Sequence, residues 1–149
     1  MVINNIIEIE GWHPKLRGKN WKIIYSENKL LDFNCIAFVL DVYDNWYGSS
    51  TEFWPYKTMS RSPKLENYIK YFSTFGYNIC NNDSFENEFD KIAIYIDSDG
   101  NVTHASKQFQ NMWRSKLGES NIIEHKLEWL SGYDFDNYGD IGAIMKRKK

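Results

Sequence analysis

Two residues, Cys35 and His104, have the types and the order that nucleophilic thiol chemistry requires. Cys35 follows Asp32-Phe33-Asn34 and precedes the apolar run Ile36-Ala37-Phe38-Val39-Leu40, which reads as a polar cap and then a buried helix. A cysteine in a first helical turn faces unpaired N–H groups and the positive end of the helix dipole, and both favour thiolate over thiol. His104 lies downstream on an expected strand, where Val102, His104 and Ser106 share one face and Thr103, Ala105 and Lys107 the other. An imidazole beside a thiolate is a general base for attack on a carbonyl. The bland readings stand beside these. A free cysteine is commonly a small buried hydrophobe, and a histidine next to a valine is commonly an interior residue with its hydrogen bonds satisfied.

The remaining candidates are weaker. His125 follows Ile122-Ile123-Glu124 in an expected helix, where it is either a surface or capping residue or approaches the site if that helix folds back. His13, next to Pro14, reads as a loop residue. Cys35, Cys80, His104 and His125 show no paired ligand spacing for a metal. Asp97-Ser98-Asp99-Gly100 begins like a calcium loop but lacks the later ligands, so it reads as a turn. There is no glycine-rich phosphate loop and no G-x-S-x-G elbow. Aromatic residues alternate with Asp and Asn in 46–56 and 132–140, which suits either a binding groove or loops anchored to a core. Asp83, Glu86, Glu88 and Asp90 read as a solvated acidic face.

These residues need elements to position them. Residues 1–31 are ambiguous, with turn-like Trp12-His13-Pro14 and a short strand or helix at 21–25. A helix over 34–47 is apolar around most of its circumference and is expected to be central. A second helix has Ser62 as its cap, Pro63 at its first position, a stripe of Leu65, Tyr68, Ile69, Phe72 and Phe75, and a stop at Gly76. The period then changes to two. Residues 91–97 and 102–108 alternate around an Asp-Gly turn and predict a hairpin. Short strands are expected at 77–80, 112–117 and 141–146, and a helix at 121–130. Helices first and a strand meander later reads as α+β.

Composition narrows the function. The 149 residues suit one domain, spanning 1–149. A net charge of −2 gives no global attraction to nucleic acid or anionic membranes, and the basic run 146–149 reads as a solubilising end. Aromatic residues make up 17% of the chain, enough for a core or a groove built on large rings. No signal peptide or membrane span is expected, and two cysteines form no disulfide framework, although a single bridge is compatible with the count. A reduced, cytoplasmic setting is the default expectation.

The segment Lys91-Ile92-Ala93-Ile94-Tyr95-Ile96-Asp97, then Gly100, then Val102-Thr103-His104-Ala105-Ser106, resembles the NlpC-type and CHAP-type branches of the papain-like cysteine peptidases. Asn34-Cys35-Ile36-Ala37-Phe38-Val39 is similar to their Asp-Cys-Ser-Gly-Phe-Val nucleophile helix. The resemblance covers roughly 33–40 and 90–107. The stretch from Lys91 through Trp113-Arg114-Ser115-Lys116-Leu117-Gly118 to Glu124-His125 also looks like an uncharacterised bacterial family.

The resemblance implies an α+β, papain-like fold in the NlpC sense, a buried nucleophile helix on an antiparallel sheet of about four to six strands. It also implies a cysteine-dependent hydrolase or acyltransferase acting on a peptide-like substrate through an amide, isopeptide or thioester bond. Cys35 would attack, His104 would be the base, and the backbone N–H of Cys35 with Asn34 would hold the oxyanion. Trp54 and Tyr95 would line the site, with no cofactor and no metal. One departure matters. The base in these peptidases opens the first strand, where this chain has Lys91, and His104 matches their orienting residue. Either His104 has taken over, or Lys91 stabilises the thiolate as a cation, or the machinery is lost. In the last case the chain is a catalytically silent binding protein, of immunity or adaptor type, with a protein partner. A redox role for the cysteine is a third option, and the oligomeric state stays open.

Overall fold

The computed structural model describes residues 6–25, 30–48, 61–134 and 136–149. Its centre is β3 (Phe89–Ile96), whose Ile92, Ala93, Ile94 and Tyr95 are fully buried. A strand buried on both faces reads as a continuous apolar run, and successive residues point to opposite sides. Ile92 and Ile94 accordingly join one hydrophobic cluster, and Ala93 and Tyr95 join another. The strand turns at Asp97, whose carboxylate accepts the N–H groups of Asp99 and Asn101, and returns as β4 (Val102–Phe109). The expected hairpin is present.

Around this hairpin the sheet grows to seven strands, more than the four to six expected. With β1 (Lys22–Tyr25), β2 (Asn78–Cys80), β5 (Met112–Lys116), β6 (Ile122–His125) and β7 (Asp140–Lys148), the order is β1-β6-β5-β4-β3-β7-β2. All paired neighbours are antiparallel. On one face lie α2 (Cys35–Val39) and α3 (Leu65–Ser73), packed through Ile36, Phe38, Tyr71 and Phe72 onto Ile92, Ile94, Ala105 and Met145. On the other lie α1 (Ile6–Trp12) and the 3-10 turns Pro14–Leu16 and Leu127–Trp129, with Ile9, Leu16, Trp129 and Leu130 over Ala93, Tyr95, Trp113 and Ile123.

Three expected elements are corrected. The helix over 34–47 shrinks to Cys35–Val39, because Asp41 takes φ 61 and breaks it. The second helix begins at Leu65, one turn position after Lys64, with Ser62 Oγ accepting the Lys64 N–H. The segment 121–130 is β6 followed by a 3-10 turn. Ile122 and Ile123 face opposite clusters, so their burial has the period of a strand. Both cysteines are free, and no helix among the described residues is long and apolar enough to cross a membrane.

The start of β7 is pinned by a mutual pair of hydrogen bonds between Gly132 and Gly139 (2.9 and 2.8 Å). A Cβ on Gly139, at φ +88, would lie 1.9 Å from the Ile96 carbonyl oxygen. Gly139→Ala is expected to cost about 3 kcal/mol or more. Gly118→Ala, at φ +57 with open space around it, is expected to cost about 1 kcal/mol. Urea denaturation checks both, and equal losses would contradict the close approach at Gly139.

Candidate functional site

Cys35 opens α2, as its sequence context requires. Asn34 caps that helix, its Oδ1 accepting from Ala37 N at 3.0 Å and Tyr47 N at 3.1 Å while its Nδ2 donates to Tyr47 O at 2.7 Å. Both ends of the amide are therefore engaged in holding the loop to the helix.

The backbone N–H groups of Ala105, Ile36 and Cys35 itself, and the Lys116 ammonium, act on the Cys35 thiol electrostatically. These favour the thiolate. Burial opposes them and is larger, so the thiol is pushed above its ordinary value. Lys116 is fully buried, donates to Gly118 O at 2.5 Å and lies 5.0 Å from the Phe33 ring centre. Burial brings its ammonium down to about 8, with Cys35 and Glu119 opposing. At neutral pH the resting cysteine is a thiol.

His104 does not complete a dyad with it. Ala105 packs in the cluster beneath α2, and Lys107 pairs with Asp41 just after α2. Alternation then sends His104 and Ser106 to the opposite face of β4. There the imidazole stacks on Tyr138 (3.9 Å, 6°) and tilts against Tyr95 at 5.4 Å. No hydrogen bond joins it to Cys35, and its Nε2 is buried without a partner among the described residues. Burial, with His125 and His13 nearby, holds its pKa well below the ordinary histidine value. His104 is a neutral ring packed as an aromatic, and the expected Cys35–His104 pair is corrected on that ground.

Lys91 is committed elsewhere. Its side chain is fully buried, pairs with the Glu86 carboxylate (2.6 Å) and donates to Ser84 O (2.6 Å) and Asn82 Oδ1 (2.9 Å). It ties down the 82–86 segment, and by strand alternation shares the face of Ala93 and Tyr95, away from α2. It does not stabilise the Cys35 thiolate. Tyr95 is fully buried and donates to Leu127 O at 3.0 Å, a core contact in place of the expected binding role. Trp54 lies outside the described residues. Of the two aromatic segments, Tyr47 and Tyr138 pack inward while Tyr133 is exposed.

A network that the sequence did not suggest crosses the second face. His125, expected on a helix surface, is fully buried on β6. Its Nδ1 sits 2.8 Å from Lys126 O, which can only accept, so Nδ1 carries the proton. Its Nε2 therefore accepts from Ser115 Oγ (2.6 Å), and Ser115 accepts from Ser106 Oγ (2.7 Å). A Ser–His hydrogen bond of this kind suits a nucleophile, but Ser106, Ser115 and His125 are all fully buried and present no face to a substrate. Locating it required the strand register, since each residue comes from a different strand. His13 is also buried, bonded through Nδ1 to Asn137 Oδ1 at 3.1 Å. No group of three or more His, Cys, Asp or Glu among the described residues is arranged to hold a metal.

The fold is thus α+β, an open seven-stranded antiparallel sheet with a catalytic-looking cysteine separated from its histidines. Residues 24–146 match the model of the family described as Domain of unknown function (DUF7689), and the chain belongs to that family. No curated protein and no solved structure matches the chain.

Burial holds His125 down at about 4 against an ordinary value near 6.5. A folded-state value below the unfolded one gives stability that is present above pH ~6.5 and lost as pH falls towards 4. Urea unfolding between pH 7.5 and 4.5 is expected to show that loss, with a shallower slope in His125→Gln; an unchanged slope would contradict a neutral His125. Lys91→Met is expected to cost about 1–3 kcal/mol by leaving Ser84 O and Asn82 without their donor, and to open the 82–86 segment to limited proteolysis. A protease-resistant segment in that variant would remove the anchoring role.

Proposed function

We propose that this domain is a protein-binding module of the immunity or adaptor type, built on a helix-and-sheet scaffold whose element order resembles that of the papain-like peptidases. The observation that carries this reading is the placement of His104. In those peptidases the thiol and the imidazole must meet, whereas here the imidazole is stacked on Tyr138 across β4 from α2. The two groups that a dyad would activate are both pushed towards their neutral forms by burial. Lys91, at the position of the peptidase base, is held by Glu86 and the 82–86 backbone.

A second reading, a cysteine hydrolase or acyltransferase, has one observation in its favour. The backbone N–H groups of Ala105, Ile36 and Cys35 and the Lys116 ammonium each favour the Cys35 thiolate, although burial outweighs them. That reading requires His104 to leave its stack and cross to the other side of the strand.

Alkylation of Cys35 by iodoacetamide, in a Cys80→Ser background, separates the two. The binding module predicts reactivity that rises only above the ordinary thiol range and does not change in His104→Ala. A thiol that reacts well below pH ~8.5 and loses that reactivity in His104→Ala would restore the hydrolase.

A further inference from the structure

The register lines up four charged residues on the face of the sheet that carries α2. Lys22 of β1 lies opposite Glu124 of β6, Glu124 opposite Arg114 of β5, and Arg114 opposite Lys107 of β4. Their signs run plus, minus, plus, plus. Like charges facing each other across a pair of strands repel. Two carboxylates answer the three cations. Glu124 is shared between Lys22 (3.5 Å) and Arg114 Nε (3.2 Å), and Asp41 pairs with Lys107. One positive charge of the row is left over. The Lys107 and Arg114 side chains are only 24% and 26% exposed, so water compensates it incompletely. Arg114 spends its Nε on Glu124, while its Nη1 and Nη2 have no hydrogen-bond partner among the described residues and are not sealed from solvent.

Beside the Lys107–Arg114 pair lies a cavity of about 250 Å³, lined by Phe38, Tyr43, Lys107, Gln108, Phe109 and Arg114. Three of these six residues are aromatic, two are cations and none is acidic. The Tyr43 and Phe109 rings are left open to solvent, at 50% and 44% exposed. The Arg114 guanidinium lies over the Phe109 ring at 3.6 Å, which fixes its fork where it lines the cavity. Tyrosine and arginine around a partly dry pocket are the side chains that concentrate binding energy at protein interfaces.

We propose that this cavity receives an aromatic side chain of the partner protein, with an adjacent acidic residue of the same segment on the Arg114 Nη atoms. The carboxylate neutralises the surplus charge of the row and takes the bidentate geometry that a guanidinium offers. The aromatic ring packs edge to face against Phe38, Tyr43 and Phe109. This inference rests on the binding-module reading and names its surface and the partner's chemistry.

The test is NMR titration of ¹⁵N-labelled protein with acetyl-Asp-Phe-amide, with acetyl-Asn-Phe-amide, which keeps the shape and loses the charge, and with inorganic phosphate. The expected result is a saturable shift of the Arg114 Nε–H and the Phe109 amide with the Asp peptide, and binding about fivefold weaker for the Asn peptide. In Arg114→Gln the two peptides should bind alike, and in Phe109→Ala both should bind more weakly. The unperturbed part of each spectrum reports folding. In the wild type, the preference for the Asp peptide should also shrink as NaCl is raised, a readout that needs no variant. No saturable shift, equal binding of the Asn peptide, a preference that survives in Arg114→Gln, or the same shifts with phosphate alone would overturn the assignment. Failure of the peptide with an inert Cys35 defeats the cavity alone, whereas a Cys35 activated by His104 defeats the module reading on which it rests.

Discussion

The two-residue period of a strand buried on both faces governs this domain. In β3, Ile92 and Ile94 face α2 and α3, while Ala93 and Tyr95 face the 3-10 turns. β4 inherits the same division through its register, Ile94 opposite Ala105 and Tyr95 opposite His104. One position along the strand therefore decides which core a residue enters. Ala105 lies under the nucleophile-like helix, and His104 lies in a different environment altogether.

The two cores differ in chemistry as well as location. The α2 and α3 side is aromatic and aliphatic, with Phe33, Tyr71, Phe72 and Tyr77 around the helices. The other side carries the buried polar residues His13, His104, Ser106, Ser115 and His125 among Tyr95, Trp113 and Leu127. Low dielectric makes polar groups expensive unless they are paired, and most of these are. The His125–Ser115–Ser106 chain runs through β6, β5 and β4, so a shift of register in any of them would break it. Lys91 extends the same logic to the rim, where one buried ammonium organises the 82–86 segment through Glu86, Ser84 and Asn82. That segment in turn lines a cavity together with the 126–128 turn.

Much of the sheet was legible from sequence. The 91–108 hairpin was marked by the apolar Ile92–Ile96 run, the Asp-Gly turn and the return through Val102, and β2, β5 and β7 were expected as short strands between turn residues. The 121–130 segment was not. Ile123, Leu127 and Leu130 also fit a helical stripe, and a strand buried on both faces loses the alternation that would reveal it. The Asp41 break in the first helix was invisible because the apolar run continues past it to Tyr43. For the site, sequence named Cys35 and His104 and assigned His104 a face within its strand. It could not say on which side of the sheet α2 would pack, and that choice separates the pair. Lys91 and Tyr95 were singled out for chemistry and turn out to be a segment anchor and a core hydrogen-bond donor, while Asn34 is the helix cap its position announced.

The central claim is that His104 is a neutral, stacked ring uncoupled from Cys35. The direct measurement is a ¹⁵N-imidazole NMR titration of the wild type and Cys35→Ala between pH 5 and 8. The account predicts that His104 stays neutral across that range and that its ring nitrogen shifts are the same in both proteins. An imidazolium signal at neutral pH that disappears in Cys35→Ala would show a thiolate–imidazolium pair and contradict it.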